Sequence, residues 1–306
     1  MKHFISLKYF SKDKINELIM AALNIKKNPK IYENKLKGKY IGLLFQKPSL
    51  RTKTAFYLGT LKLGGKAIYY GINEVKLDIR EKISDVARTL SGYLDGVVLR
   101  TFSHKTIEEF SSFSSIPVIN GLSDFLHPSQ VLGDLLTLYE LKKNIKKIKF
   151  SYIGDGNNVC HSFIYAFSIL GGNLFIATPK QYSPSSLVLK EAKDFSHLSK
   201  AKIFLTHNPQ LAAKDADVIY TDVWISMGRE KEAKKRKSVF KNFQINDKIL
   251  KEAKKSCVVM HCLPARRGEE ITDSVLESKN SIVFLQAKNR LYSAESILLY
   301  ILGGRK

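Results

Sequence analysis

The sequence predicts an α/β protein of two domains, each a mainly parallel sheet flanked by helices. Three observations carry that prediction. The chain has 306 residues, more than a single hydrophobic core usually organises, which points to two domains of roughly 150 residues each. Short apolar runs rich in β-branched and aromatic residues alternate with amphipathic segments, the rhythm of strand and helix in turn. Those runs are also continuously apolar instead of alternating with polar residues, as strands covered on both faces require.

The first half offers strands at Tyr40–Phe45, Ala67–Gly71, Gly96–Arg100 and Ile116–Asn120. The second half offers Ile148–Ile153, Asn173–Ala177, Ala201–Thr206, Val218–Asp222, Val258–Cys262 and Ile282–Gln286. Between them, Ile15, Leu18, Ile19 and Ala22 share one helical face after a capping Ser11, and Ile83, Val86, Ala87 and Leu90 repeat that spacing. The polar, lysine-rich stretch Leu141–Lys147 marks the seam, giving domains 1–140 and 141–306. In such folds ligands sit beyond the carboxyl ends of the strands, so residues that follow strands carry the functional reading.

Composition narrows the class. Hydrophobic residues at 44% and charged residues at 25% describe an ordinary globular chain. No window of about 18 apolar residues suggests a membrane span, and the polar, interrupted N-terminal stretch does not read as a signal peptide. The expected setting is therefore the cytoplasm, with no membrane partner. Cys160, Cys257 and Cys262 form no paired pattern, which argues for reduced thiols. The net charge of +22 admits nucleic-acid binding through phosphate contacts. The basic residues are scattered, however, with no basic patch interleaved with aromatics, so a lysine-rich surface that attracts small anions is the leading reading and no nucleic acid is expected.

The segment GLLFQKPSLRTKTAF runs from a strand into a helix opened by Pro48 and Ser49. A helix N-terminus presents unpaired N–H groups and a positive dipole end to a phosphate. Ser49, Arg51, Thr52 and Lys53 add two hydroxyls and two cations there, and an arginine can meet a phosphate with two parallel hydrogen bonds. Three further residues follow strands. Arg100 ends DGVVLR, and His127 and Gln130 lie in HPSQVLGDLLTL, where a helix begins. A positive or proton-donating set of this kind suits a carbonyl oxygen that gains charge on attack, and a glutamine carbonyl suits an NH2 group.

In the second half, GDGNNVCHS lacks the full dinucleotide fingerprint. DVWISMG puts Asp222 after a strand as a carboxylate for a substrate ammonium, with Ser226 and Met227 available to the α-substituents of an amino acid. HCLPARRGEE places His261 and Cys262 side by side, so that in an extended strand they point to opposite faces and are poorly disposed to chelate one metal. Arg290 stands between the last strand and an amphipathic terminal helix.

These five ordered motifs resemble the aspartate/ornithine carbamoyltransferase family. S-x-R-T-[RK] is similar to its carbamoyl phosphate signature, HPxQ to its second, and GDGNNV, D-x-W-x-S-M-G and HCLPA to the ornithine branch. The resemblance implies transfer of the carbamoyl group of carbamoyl phosphate to the side-chain amine of L-ornithine, without metal or cofactor. It implies carbamoyl phosphate contacts from Ser49, Leu50, Arg51, Thr52, Lys53, Lys76, Arg100, His127, Gln130, Cys262, Leu263 and Arg290. It implies ornithine contacts from Asn158, Asp222, Ser226 and Met227, with Arg100, His127, Asp222, Cys262 and Arg290 acting in catalysis. A homotrimer or an assembly of trimers is implied too, with the loop around Lys76 reaching a neighbouring subunit's site and a terminal helix, about 290–306, packed on the first domain. The charged segment after SMG reads as a solvated flank. Lys53 departs from the family's usual arginine, and lysine lacks the planar fork. The alternatives are a carbamoyltransferase for another amine (N-acetylornithine, putrescine or aspartate) or a basic nucleic-acid-binding protein.

Overall fold

The computed structural model describes residues 3–74, 76–141 and 143–303. Val75 of the Lys76 loop and Lys142 of the expected seam lie outside the described residues, as do positions 1–2 and 304–306 at the ends of the two expected domains. The chain forms two compact units, Met1–Leu136 with Lys288–Lys306, and Thr137–Ala287.

The first unit runs α1 (Lys12–Lys27), β1 (Tyr40–Phe45), α2 (Arg51–Lys62), β2 (Lys66–Tyr70), α3 (Ile83–Ser91), β3 (Gly96–Arg100), α4 (His104–Phe113), β4 (Val118–Leu122) and α5 (Pro128–Glu140), whose last turn passes into the second unit. Its sheet has the order β2-β1-β3-β4, all parallel. Ser11 caps α1 by accepting the Lys14 N–H, as the sequence predicted. β4 starts two residues later than expected: Pro117 has no N–H for the ladder and contributes only its carbonyl, to Val97 N at 3.0 Å. The core under β3 gathers Leu44, Leu99, Ile107, Phe110 and Val118 around Ile83 and Ala87 of α3.

The second unit contains β5 (Phe150–Ile153), α6 (Asn158–Leu170), β6 (Asn173–Ala177), α7 (Ser186–Ser199), β7 (Lys202–Thr206), α8 (Pro209–Ala213), β8 (Val218–Thr221), α9 (Ala233–Phe240), α10 (Asp247–Glu252), β9 (Val258–His261), α11 (Asp273–Leu276) and the start of α12 (Val283–Leu302). Its sheet order is β7-β6-β5-β8-β9, again all parallel. The apolar α6 is buried over nearly its whole length, with Phe163 against Phe150 and Tyr220 of the sheet and Tyr165 against Phe195 of α7. A helix apolar on every side needs neighbours on every side.

The expected strand Ile282–Gln286 is wrong. Ile282 makes one contact with the sheet, its N–H reaching Val259 O at 3.0 Å, and its carbonyl then accepts the Gln286 N–H at 2.9 Å as α12 begins. A short apolar run fits strand and buried helix equally well. The longer spacing decides it, because Val283, Gln286, Arg290, Ala294, Ile297 and Ile301 are all buried along one face. From Lys288 onward α12 belongs to the first unit. It packs there through the Ser296 hydroxyl on Leu18 O at 2.7 Å and through Tyr300 against Phe10. No helix among the described residues is long and apolar enough to cross a membrane.

Candidate active site

In each sheet the strand order reverses beside the strand that comes first in the chain, β1 against β3 and β5 against β8. The crevice beyond the carboxyl ends at such a reversal is where open α/β sheets bind ligands. Ser49–Lys53 follow β1, Arg100 ends β3, and Asn158 and Asp222 follow β5 and β8, the strands at these reversals.

In the first unit β1 leads through Gln46–Leu50 into α2, which starts at Arg51, two residues after the expected Ser49. Ser49 Oγ accepts the Thr52 N–H at 3.2 Å, satisfying one open donor of the first turn. Thr52 is buried, and its hydroxyl accepts from Arg290 Nη2 of α12 at 2.6 Å. Gly133 of α5 lets α12 come this close, since a Cβ there would lie 3.1 Å from Ser293 Oγ and 3.5 Å from the Arg290 Cα. Arg51 is half-buried and Leu50 is exposed. The Lys53 ammonium lies 3.6 Å from the centroid of the Tyr69 ring, a cation–π contact that gives this lysine a partner within the fold.

Arg100 is buried at the end of β3, where the ladder with β4 slips between Leu99 and Arg100. Such an irregularity re-aims the side chain that follows it. His127 is buried just before α5, and its pKa lies well below 6.5, first because burial disfavours its charged form and then because Arg290 and Arg100 repel it. It is therefore neutral at neutral pH. Gln130 is buried, its amide NH2 donating to Asp134 Oδ1 at 2.9 Å while its Oε1 is buried with no hydrogen-bond partner among the described residues. A buried acceptor in that state favours a ligand that brings an N–H. Lys47, buried with its ammonium 4.6 Å from the Phe102 ring centroid, is a further cation beside this site that the sequence reading passed over. Lys76 stands exposed in the turn after β2, its carbonyl accepting from Ile79 and Arg80. No hydrogen bond or ion pair among the described residues joins its side chain to the other candidates.

In the second unit Asp222 follows β8 and Cys262 follows β9, both buried. The Cys262 thiol donates to Asp222 Oδ1 at 2.8 Å, the Val223 N–H donates to the same oxygen at 2.8 Å, and Asn157 Nδ2 donates to Oδ2 at 2.7 Å. Asn157 also caps α6 and accepts from Tyr152 Oη at 3.1 Å. Burial first, then the charge of Asp222, pushes the Tyr152 phenol well above 10, so it remains a donor. The expected Asn158 is half-buried at the first position of α6. Its neighbour Asn157 was missed, although an asparagine before a helix is a capping signal in the sequence. Gly156 admits no side chain: a Cβ would fall 2.4 Å from Pro184 N and 2.5 Å from Tyr182 O.

Ser226 and Met227 lie in the loop after β8, with Met227 exposed. The segment beyond is not a solvated flank throughout. Arg236 is buried and donates to Asp155 Oδ2 at 2.8 Å, to Trp224 O at 2.8 Å and to Glu232 Oε2 at 3.0 Å, with its guanidinium 4.3 Å from the Tyr182 ring centroid. Burial raises the Asp155 carboxyl to about 6 against the pull of Arg236. The loop after β8 is thus tied to the GDGNN turn by one buried cation, which a reading of local charge density had no means to single out.

The expectation that His261 and Cys262 diverge is overturned. β9 ends at His261, so strand alternation stops before Cys262. One ligand-type atom each from Asp222, His261 and Cys262 lies within 4.8 Å of the others. Both nitrogens of His261 are nonetheless engaged, Nδ1 by the Leu263 N–H at 2.8 Å and Nε2 by Glu270 Oε1 at 3.0 Å. With Nδ1 accepting, Nε2 carries the proton and donates to the carboxylate. The histidine thereby shapes the turn on which Leu263 sits, with φ +58° and half-buried.

Residues 2–140 match the family description "Aspartate/ornithine carbamoyltransferase, carbamoyl-P binding domain", and residues 146–301 match "Aspartate/ornithine carbamoyltransferase, Asp/Orn binding domain". The chain is 44% identical to the ornithine carbamoyltransferase of Thermococcus kodakarensis over 304 residues, 99% of this chain and 96% of that one. It is 45% identical to that of Archaeoglobus fulgidus, over 99% of this chain and 98% of that one. Among solved structures, the ornithine carbamoyltransferase of Pyrococcus furiosus superposes with a TM-score of 0.96 at 43% identity, covering 100% of this chain and 98% of that one. The anabolic enzyme of Campylobacter jejuni gives 0.94 at 39% identity, covering 98% and 99%.

Proposed function

Because the chain belongs to the aspartate/ornithine carbamoyltransferase family, we propose that it transfers the carbamoyl group of carbamoyl phosphate to the side-chain amine of L-ornithine, giving L-citrulline and phosphate. The observation that carries the choice of acceptor is the buried Asp222 carboxylate at the end of β8, oriented by the Cys262 thiol after β9 and by the Asn157 amide at the start of α6. A carboxylate held in this way suits a substrate ammonium, and Ser226 and Met227 nearby in the chain suit its α-substituents.

Ser49, Leu50, Arg51, Thr52 and Lys53 bind the phosphate at the start of α2, where N–H groups and cations converge. Arg100, Thr52, Arg290 and the neutral His127 donate to the carbamoyl oxygen, and Gln130 Oε1 accepts from its NH2. The family resemblance also assigns Cys262 and Leu263 to the contacts with carbamoyl phosphate. The ornithine side-chain amine has a pKa of about 10.4, by analogy with lysine, and must lose a proton before it attacks. Asp222 and Cys262 hold that amine and favour the loss, while Asn158 contacts the amino acid. The amine nitrogen then bonds to the carbonyl carbon and the oxyanion is held by the arginines and His127; the bond from that carbon to the phosphate oxygen breaks with its electron pair leaving on phosphate, which takes up the proton that the attacking nitrogen sheds.

The proposed setting is cytoplasmic arginine synthesis, a direction supported by the anabolic name of the Campylobacter jejuni relative. The proposed assembly is a homotrimer, or trimers combined further, in which Lys76 serves a neighbouring subunit. Supporting this, Lys76 lies in an exposed turn beside Ile79, whose 82% exposure is unusual for an isoleucine. Mixed trimers of Lys76→Ala and Arg51→Ala subunits, each inactive alone, should regain part of the wild-type rate. A mixture as silent as its parents would rule out shared sites.

The test of the function is citrulline formation from carbamoyl phosphate and L-ornithine, with N-acetylornithine, putrescine and aspartate in parallel. Turnover with ornithine alone is expected. Turnover with a different amine would keep the phosphate site and overturn the reading of Asp222, Met227 and Cys262. Binding to random DNA without any turnover would favour the nucleic-acid alternative.

A further inference from the structure

The helices α2 and α12 meet at two levels. At one, Arg290 of α12 donates to Thr52 in the first turn of α2. At the other, two turns along, α12 presses Glu295 against Gly59, where a Cβ would lie 3.1 Å from the Glu295 Cγ and 3.6 Å from its backbone nitrogen. Glu295 is 1% exposed, and neither carboxyl oxygen has a hydrogen-bond partner among the described residues. Its nearest cation is Lys62 of α2, with Nζ 4.0 Å from Oε1. A buried carboxylate with neither oxygen hydrogen-bonded is a costly arrangement, whereas the neutral acid is readily accommodated.

We propose that Glu295 is a positioning residue for the carbamoyl phosphate site, coupling the seating of α12 on α2, and with it the Arg290–Thr52 bond, to the protonation of its own carboxyl. With the acid neutral, the helices close on one another and Arg290 is held beside Thr52. On ionisation the carboxylate draws towards Lys62 and towards water, which loosens the α2–α12 contact and shifts Arg290. Burial raises this carboxyl from 4.5 to about 7, with Lys62 pulling the other way, so the change falls near neutral pH.

Several other charged groups on the packed elements have partners of their own. On α1, Lys26 donates to Asn289 and faces the Tyr292 ring, while Lys14 pairs with Glu17 and faces the Tyr300 ring. On α5, Asp134 accepts from Gln130. Lys62 lies 5.9 Å from the Tyr292 ring centroid as well as facing Glu295. Glu295 and Lys62 are left as the pair that the α2–α12 contact brings together.

The inference rests on the reading that Thr52 and Arg290 face carbamoyl phosphate. The experiment compares the KM for carbamoyl phosphate, at saturating ornithine, in the wild type and in Glu295→Gln from pH 6 to 8.5. Titrations of substrates and of other residues cancel in the ratio of the two. The ratio should be near one at pH 6 and rise severalfold through an inflection near neutral pH, because only the wild type loses its seating. Lys62→Met should move that inflection to higher pH by removing the cation that favours ionisation. A ratio that is flat across the range, or an inflection that stays in place in Lys62→Met, overturns the proposal. Failure of the underlying site reading would look different: Arg51→Ala would then bind carbamoyl phosphate normally.

Discussion

Arg51→Ala should lower kcat/KM for carbamoyl phosphate by about a thousandfold, the upper part of the range seen when a preorganised charge-stabilising group is lost. The phosphate carries its negative charge before, during and after attack, and Arg51 sits in the first turn of α2, where in the proposed site the helix dipole and a guanidinium fork act on the same oxygens. The side chain is only half-buried, so the fold should lose little and the unfolding midpoint in urea should stay close to that of the wild type. Lys53→Ala should cost much less, about tenfold, because its ammonium is a point charge held against the Tyr69 ring and not a fork. Steady-state kinetics on the two variants checks both statements. Equal effects would mean that the lysine has taken over the family arginine's role in full, and an unaffected Arg51→Ala would remove the phosphate from this helix.

Asp222→Asn should act on the other substrate. The aspartate accepts hydrogen bonds from Cys262, Val223 and Asn157. An asparagine keeps the shape, but its NH2 faces a donor where an oxygen stood, and the charge that would meet the ornithine ammonium is gone. We expect kcat/KM for ornithine to fall by about a hundredfold or more, with the KM for carbamoyl phosphate within about threefold of the wild-type value, on the scale of a lost charge-assisted contact. Cys262→Ala removes one donor and leaves the charge, so its loss should be nearer tenfold and should also appear in the ornithine term. Unchanged ornithine kinetics in both variants would remove Asp222 and Cys262 from the acceptor site.

The residues of the candidate site differ in how legible they were in the sequence. Ser49 to Lys53, Arg100, His127, Asp222 and Cys262 all lie at or just after strand ends or at helix starts, and both features are local. An apolar run announces a strand, and the chain direction of a parallel sheet then puts the following residues at one rim. Asn157 was within reach of the same logic, as a capping residue at a helix start.

What remained out of reach depends on residues far apart in the chain. The sequence by itself determined two parallel α/β layers, the strands of each except the last one expected, and the motifs at their rims. Only the tertiary structure decided that Ile282–Gln286 opens a helix, since a short apolar run carries no period long enough to choose. Only it decided that Arg236 is buried on Asp155, that His261 turns to Glu270, that Lys53 rests on Tyr69 and that Glu295 is sealed against Gly59. A charged side chain reads as solvated until the fold supplies its neighbour, because burial and pairing belong to contacts between elements and not to the residue that makes them.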